Sequence, residues 1–120
     1  MSYPFLVAGG VEGGEPASFV TITPRAVVLV GCVLTRLRGL TDASVHCIAT
    51  SPPYLDARDY KVPPTTWPEV TYRPRFDLPE VTVPAMTCCL GHEATLLAYV
   101  GHLVLVAREL HRVLRPDGVF

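Results

Sequence analysis

Two consecutive prolines directly after an apolar run, in the segment HCIATSPPY, set a firm limit on the fold of this chain. Pro52 and Pro53 each lack a backbone N–H and have a fixed φ, so neither can continue a central strand. The preceding run, Val45–Ala49, has the composition of a short strand. The sequence therefore predicts a strand that stops before Ser51, with Ser51 and Tyr54 placed beyond its carboxyl end.

A second apolar run lies upstream and predicts the element order. Ala26–Val30 is short, continuous and rich in β-branched residues, as in a strand buried on both faces. Gly31 ends it, and leucines spaced three residues apart then indicate a short helix: Leu34, Leu37 and Leu40. Strand, helix and strand over this distance favour an α/β fold in which Val27–Val30 and Val45–Ala49 are adjacent parallel strands.

The strongest helical pattern of the chain covers Leu96–Leu114. Its apolar residues recur every three or four positions, with Arg108, Glu109 and Arg112 on the other side, so we expect it to pack on the sheet. Charged and histidine residues interrupt the apolar stretch, which excludes a membrane span. Arg115–Gly118 is then predicted to form a turn before another strand begins.

Two further segments are predicted to lack regular structure. Residues 1–24 are Gly-rich and weakly patterned, as in a flexible leader. Residues 61–92 contain six prolines and are expected to form a long irregular loop within the domain that covers residues 25–120. These prolines are Pro63, Pro64, Pro68, Pro74, Pro79 and Pro84.

Length, net charge and cysteine content indicate how large the domain is, whether it binds nucleic acid and in which compartment it lies. The chain has 120 residues, enough for one small domain, and a net charge of −1, so any contact with nucleic acid must be local or come from other chain segments. Four cysteines without a secretory signal favour a reduced, cytoplasmic setting. We expect no metal site at Cys88, Cys89 and His92, because no second pair of cysteines completes a tetrahedral set.

The Ser51–Tyr54 stretch offers a specific chemistry. Ligands bind at the carboxyl ends of parallel strands, and two prolines would hold a backbone carbonyl rigidly outward as an acceptor beside the Ser51 oxygen. Tyr54 adds a flat aromatic face. Two acceptors and a stacking surface match an exocyclic amino group on an aromatic base. From these four residues alone, a strand followed by a packed proline turn is an equally good explanation.

A longer resemblance favours the functional explanation. The segment LTDASVHCIATSPPYLDARDY resembles the catalytic segment of bacterial and phage DNA amino-methyltransferases, which methylate cytosine N4 or adenine N6. The segments WPEVTYRPRFDLPEVTVPAMTCCLGHE and YVGHLVLVARELHRVLRPDGVF are also similar to that family, so the resemblance covers about Ala26 to Phe120. It implies a partial Rossmann-like methyltransferase fold, a parallel sheet with flanking helices. It also implies S-adenosylmethionine as cofactor and double-stranded DNA as partner.

The resemblance assigns catalytic roles within the motif. Ser51 and the Pro52 carbonyl would accept hydrogen bonds from the target amine, Pro53 would fix the turn, and Tyr54 would stack on the base. The base must first be flipped out of the duplex, because its amino group is otherwise paired. Ser51 slightly favours cytosine N4 over adenine N6, since the adenine enzymes more often have Asp or Asn at this position.

Binding roles follow in the same way. Arg58 and Tyr60 would lie near the DNA, although Arg58 could equally form a local ion pair with a neighbouring aspartate. Gly31 and Cys32 occupy the strand end where the family holds its cofactor. The family usually has an acidic residue at the position of Cys32, and a thiol is a weaker acceptor than a carboxylate.

The resemblance also predicts that the chain is the N-terminal portion of a catalytic domain. The phenylalanine-glycine-glycine loop that grips the cofactor in the family does not occur before Phe120. Activity would then need the C-terminal half of the domain or a complementing chain. The alternative is a non-catalytic methyltransferase remnant or subunit fragment.

Overall fold

The structure, a computed structural model, describes residues 4–6, 19–23 and 26–120, with side chains from residue 27 onward. Two helices occur in this part of the chain, α1 (Val33–Arg38) and α2 (Leu96–Val113). Its strands are β1 (Pro4–Leu6), β2 (Phe19–Thr23), β3 (Ala26–Val30), β4 (Val45–Cys47), β5 (Thr65–Trp67), β6 (Val70–Tyr72), β7 (Val81–Val83), β8 (Met86–Cys88) and β9 (Leu114–Val119).

The chain divides into two compact units, although its length predicts one small domain. The terminal unit comprises the described residues up to Ser51 together with Val106–Phe120, and the central unit comprises Pro52–Leu105. Helix α2 contributes its first ten residues to the central unit and its remainder to the terminal unit. The fold is α/β, as predicted.

The predicted pairing of the two apolar strands is wrong. Strand β3 pairs antiparallel with both β1 and β2, with Leu29 opposite Phe5 on one side and Phe19 on the other. Because both edges of β3 are occupied by upstream strands, β4 pairs elsewhere. It forms a parallel pair with β9, in which Val45 lies opposite Leu114. The parallel arrangement is therefore present, with a different partner from the one expected.

Strand β9 also differs from the prediction. The predicted turn at Arg115–Gly118 lies inside the strand, which follows α2 without a connecting loop. The pairing of β4 with β9 shifts register between Val45 and Cys47, and such an irregularity accommodates the missing N–H of Pro116.

The core of the terminal unit contains residues from both its helices and its strands. Its buried residues are Leu37, Leu40, Val45, Ile48, Leu110 and Val113. Leu29 of β3 packs against this cluster, so only the last turns of α2 pack on β3 and β4 as predicted. The first turns of the helix pack instead against β6 and β7 in the central unit. Arg112 fixes the end of α1, because its guanidinium donates to the carbonyls of Leu37 and Leu40 at 2.8 and 3.0 Å.

The prediction of an irregular 61–92 segment is wrong. It contains four strands in two antiparallel pairs, β5 with β8 and β6 with β7. All six prolines lie outside these three-residue strands, so none removes a ladder donor. The buried residues Val70, Tyr72, Val83 and Ala98 form the core of the central unit, with α2 supplying Ala98.

Most of the predicted leader lies outside the described residues. Within residues 1–24 the structure describes 4–6 and 19–23, and both are strands paired with β3. In the part of the chain that is described, no helix is long and apolar enough to cross a membrane.

Candidate functional site

The candidate motif begins just beyond the parallel strand pair. Strand β4 ends at Cys47, and the amide of Ile48 still donates to the Val119 carbonyl at 2.9 Å. The strand therefore stops before the prolines, as predicted, and Ser51 lies past its carboxyl end. Ser51 is exposed and is the last residue of this part of the terminal unit.

The rest of the motif opens the central unit, where its backbone is fixed by a tyrosine of α2. The Tyr99 hydroxyl donates to the Pro53 carbonyl at 2.7 Å. Tyr99 is buried, and this burial raises the pKa of its phenol above the usual value. Tyr54 is 70% exposed. The motif thus combines a fixed backbone with an aromatic face open to solvent.

Gly91 lies directly against the backbone of Tyr54. It adopts φ +92°, and a Cβ built on it would lie 2.8 Å from the Tyr54 carbonyl oxygen. The Gly91 carbonyl accepts from the Asp56 amide at 2.8 Å. Only glycine satisfies both the positive φ and the close approach.

A buried glutamate contacts the Gly91 amide, and a buried histidine contacts that glutamate. Glu93 Oε2 accepts from the Gly91 amide at 2.8 Å, and Glu93 Oε1 is 2.7 Å from His102 Nδ1. The side chains of Glu93 and His102 are fully buried. The ring of Trp67 stacks on that of His102 with centroids 4.5 Å apart, and Trp67 Nε1 donates to the Cys88 carbonyl at 3.1 Å. Among the described residues, His102 Nε2 has no hydrogen-bond partner.

Three potential metal ligands meet in this cluster. Single ligand atoms of Cys88, Glu93 and His102 lie within 4.8 Å of one another. Burial, together with the Glu93 carboxylate, raises the pKa of the Cys88 thiol to about 11, and both Glu93 oxygens already accept hydrogen bonds. From the sequence, the possible metal ligands beside Cys88 were Cys89 and His92, and no metal site was expected there. In the structure the Cys89 thiol instead donates to the Val62 carbonyl at 3.3 Å, and His92 Nε2 is 2.9 Å from the Arg58 carbonyl oxygen.

The residues predicted to bind DNA lie on the surface. Arg58 and Tyr60 are exposed, and Arg58 forms no ion pair with any residue in the described ranges. Asp59 pairs with Lys61, whose ammonium lowers the pKa of the Asp59 carboxyl through a side-chain hydrogen bond. The Arg58 guanidinium is therefore available for an external anion.

The residues predicted to bind the cofactor form the turn between β3 and α1. Gly31 adopts φ +148°, and a Cβ on it would lie 2.6 Å from Arg36 Nε. The same Nε donates to the Val30 carbonyl at 2.7 Å, so the Arg36 side chain covers Gly31. Cys32 precedes the first helical residue and its carbonyl accepts from the Arg36 amide at 3.0 Å. The strand end and helix start are confirmed, and the binding role stays a prediction.

Three residues of the site could not be found from the sequence. Tyr99 lies within the apolar pattern of α2 and was indistinguishable from a core residue. Gly91 lies in the 61–92 segment that was expected to be irregular, and Glu93 follows directly after it, so neither the burial of Glu93 nor the backbone contact of Gly91 could be foreseen. The combination of a glycine with an acid two residues later, just before a helix, was the available signal.

The chain is similar in sequence to three curated methyltransferases. The chain is 32% identical over 96 residues to the type II methyltransferase M.MwoI of Methanothermobacter wolfeii, which covers 80% of this chain and 11% of that protein. It is 32% identical over 88 residues to M.XycI of Xanthomonas campestris pv. cyanopsidis, covering 73% of this chain and 21% of that protein. It is also 30% identical over 93 residues to M.Cfr9I of Citrobacter freundii, covering 78% and 23% respectively.

Over most of its length the chain is thus a relative of the type II methyltransferases. It spans between 11% and 23% of the length of these three curated relatives. No protein-family model matches the chain, and no solved structure matches it.

Proposed function

We propose that this chain carries the base-binding and methyl-transfer motif of a DNA amino-methyltransferase that acts in the cytoplasm. The reaction moves a methyl group from S-adenosylmethionine to an exocyclic amino group of a base flipped out of double-stranded DNA. The α/β units would correspond to part of a Rossmann-like methyltransferase fold. Three relatives named as type II methyltransferases support this proposal.

The exposed ring of Tyr54 on a fixed backbone is the observation that carries the proposal. The flanking backbone is held at the Pro53 carbonyl and at the Asp56 amide, while Tyr54 itself is 70% exposed. A tyrosine that only filled a core would be covered. An aromatic face held open to solvent suits stacking on an extruded base.

Ser51 and the Pro52 carbonyl would then act on the amine. The lone pair of an exocyclic amine is delocalised into the ring, and hydrogen bonds accepted from its two N–H groups favour a tetrahedral nitrogen with a localised lone pair. The cofactor supplies an electrophilic methyl group on sulfur. Transfer would form the N–C bond as the C–S bond breaks, and the amine would lose one proton to solvent. The residues contribute positioning and oriented dipoles.

The turn at Gly31 and Cys32 fits the cofactor only in part. A glycine between a strand and a helix suits close approach of a ligand, but the Arg36 side chain covers it and Cys32 offers a thiol where a carboxylate would be the stronger acceptor. We therefore assign no step to these residues. The partial fit also favours the second candidate function, a non-catalytic methyltransferase subunit.

The proposal is tested by measuring methyl transfer by the polypeptide translated from the complete reading frame that contains these residues. Radiolabelled S-adenosylmethionine and mixed-sequence DNA are the substrates, and Tyr54→Ala is the test variant. We expect kcat/KM to fall by a factor that corresponds to about 1–3 kcal/mol of lost transition-state stabilisation, because a base–aromatic stacking contact is lost. Phe76→Ala is the matched control, since Phe76 is an even more exposed aromatic residue, at 88%, outside the motif. Equal activity of the two variants would remove the catalytic role of Tyr54.

Two further measurements identify the methylated base and test whether the protein is catalytic. Nucleoside analysis of the product should show N4-methylcytosine if the mild preference drawn from Ser51 is correct, and N6-methyladenine otherwise. Calorimetry with S-adenosylmethionine tests the non-catalytic candidate. Absence of both binding and turnover in the unaltered protein, with binding gained in Cys32→Asp, would favour that candidate.

A further inference from the structure

We infer that Tyr99 and Glu93 are positioning residues, which hold the Pro53–Tyr54 peptide in the conformation needed for methyl transfer. The inference rests on the proposed function and extends it to residues outside the motif. Neither side chain would touch the base or the methyl donor. Both would act through the backbone that carries Pro53 and Tyr54.

The Tyr99 hydroxyl sets one end of this backbone. Its hydrogen bond to the Pro53 carbonyl is 2.7 Å long and connects the motif to the first turns of α2, 46 residues away in sequence. A peptide group is planar, so fixing the Pro53 carbonyl also fixes the direction of the Tyr54 amide. Because Pro53 cannot rotate about φ, this one hydrogen bond leaves the peptide little freedom.

Gly91 and Glu93 set the other end. Gly91 lies against the Tyr54 carbonyl and accepts from the Asp56 amide, and its own amide is held by Glu93 Oε2. Glu93 is in turn held by His102 through its second oxygen. A fully buried carboxylate is costly unless it is hydrogen-bonded, and here both oxygens are used. The buried Glu93 carboxylate therefore keeps Gly91 in place against the backbone of Tyr54.

The decisive experiment compares two tyrosines that make the same kind of bond. Tyr99→Phe removes the hydroxyl bonded to Pro53, and Tyr72→Phe removes a hydroxyl that donates to the Leu97 carbonyl, also at 2.7 Å. Both tyrosines are buried in the central unit, so each variant loses one comparable hydrogen bond. Only the first bond involves the motif.

We expect Tyr99→Phe to lower kcat by about tenfold, or about 1.4 kcal/mol, with KM for S-adenosylmethionine unchanged. Tyr72→Phe should keep kcat within about twofold, because its hydroxyl has no contact with the motif or the reacting groups. A general loss of stability would affect both variants alike. Equal kcat values in the two variants would therefore overturn the assignment of Tyr99.

A spectroscopic measurement keeps this inference separate from the proposed function. In 15N-labelled protein, the Tyr54 amide resonance should shift in Tyr99→Phe and stay in place in Tyr72→Phe. If the unaltered protein transfers no methyl groups, the proposed function fails, and this resonance still decides whether Tyr99 sets the motif conformation. An unshifted Tyr54 amide in Tyr99→Phe would overturn the inference.

Glu93 is tested by rescue with the isosteric amide. Glu93→Ala leaves the Gly91 amide without its acceptor and should lower kcat, whereas Glu93→Gln keeps an oxygen for Gly91 and should retain more activity. Unchanged kcat in Glu93→Ala would overturn the role of Glu93. Stoichiometric zinc binding that disappears in Cys88→Ser would also overturn it, because the carboxylate would then serve a metal.

Discussion

Among the glycines that the structure describes, Gly91 combines a positive φ with a built Cβ that would lie within 3 Å of a backbone atom. Its φ of +92° disfavours any residue with a side chain, and a Cβ built on Gly91 would lie only 2.8 Å from the Tyr54 carbonyl oxygen. We expect Gly91→Ala to lower the free energy of unfolding by about 1–3 kcal/mol, measured by urea denaturation. The clash involves backbone, so a rotamer change cannot relieve it.

Gly39 provides the matched control for this substitution. It has φ −76°, and a Cβ there would meet its nearest atom at 3.4 Å. Gly39→Ala should leave stability unchanged or raise it by about 0.4–1 kcal/mol, because the unfolded chain loses conformational freedom. A Gly91→Ala protein as stable as Gly39→Ala would contradict the described position of Gly91.

The strands of the central unit predict where proteolysis should first cut within residues 61–92. Within residues 61–92, Phe76 is 88% exposed in the connection between β6 and β7, whereas Tyr72 at the end of β6 is 5% exposed. Chymotrypsin prefers both residue types, so exposure alone separates them. We expect the first cut within 61–92 to follow Phe76, identified by mass spectrometry after brief digestion.

The outcome that would contradict the paired strands is early cleavage after Tyr72. A matched control is Phe76→Ala, which should delay cleavage within 61–92. If this variant is cut there as fast as the unaltered chain, the strands are open in solution.

The elements differ in how far the sequence predicts them. Helix α2 has eighteen residues and a repeated apolar spacing, so both its type and its position were predictable. Strands β5 to β8 have three residues each, too few to show a period. Their central threonines do alternate with less exposed neighbours, and Thr66 and Thr71 form hydrogen bonds with Thr87 and Thr82 across the strand pairs. The six prolines concealed this pattern, although each lies between strands.

Strand partners were less predictable than strands. Strand β3 was located correctly from its apolar run, but its neighbours β1 and β2 come from a segment whose glycines indicated a leader. Pairing depends on long-range geometry that one sequence does not encode locally. For the same reason the motif was found from Ser51 to Tyr54, while Tyr99, which holds it, was not.

At the scale of the whole molecule, stability should decrease in alkaline solution. Burial raises the pKa of the phenols of Tyr72 and Tyr99, and of the Cys88 thiol, where the value is about 11. In the unfolded chain these groups lose their protons nearer the usual values of 10.0 and 9.0. Between pH 9 and about 11 the unfolded state thus binds fewer protons, and the free energy of unfolding falls as pH rises.

Urea denaturation at pH 8 and pH 10.5 measures this effect. The double variant Tyr72→Phe/Tyr99→Phe should show a smaller decrease than the unaltered chain, because neither phenylalanine titrates. If the decrease is the same in both proteins, the two buried phenols do not cause it.

The stacking of Trp67 on His102 has a consequence for how unfolding is observed. Trp67 is the one tryptophan in the sequence, and it lies in the central unit. Intrinsic tryptophan emission therefore reports on that unit alone, whereas helical circular dichroism reports on α1 and α2, which together have residues in both units. Superimposable transitions by the two probes would mean that the chain unfolds as one cooperative body, and displaced transitions would mean that one unit melts while the other persists.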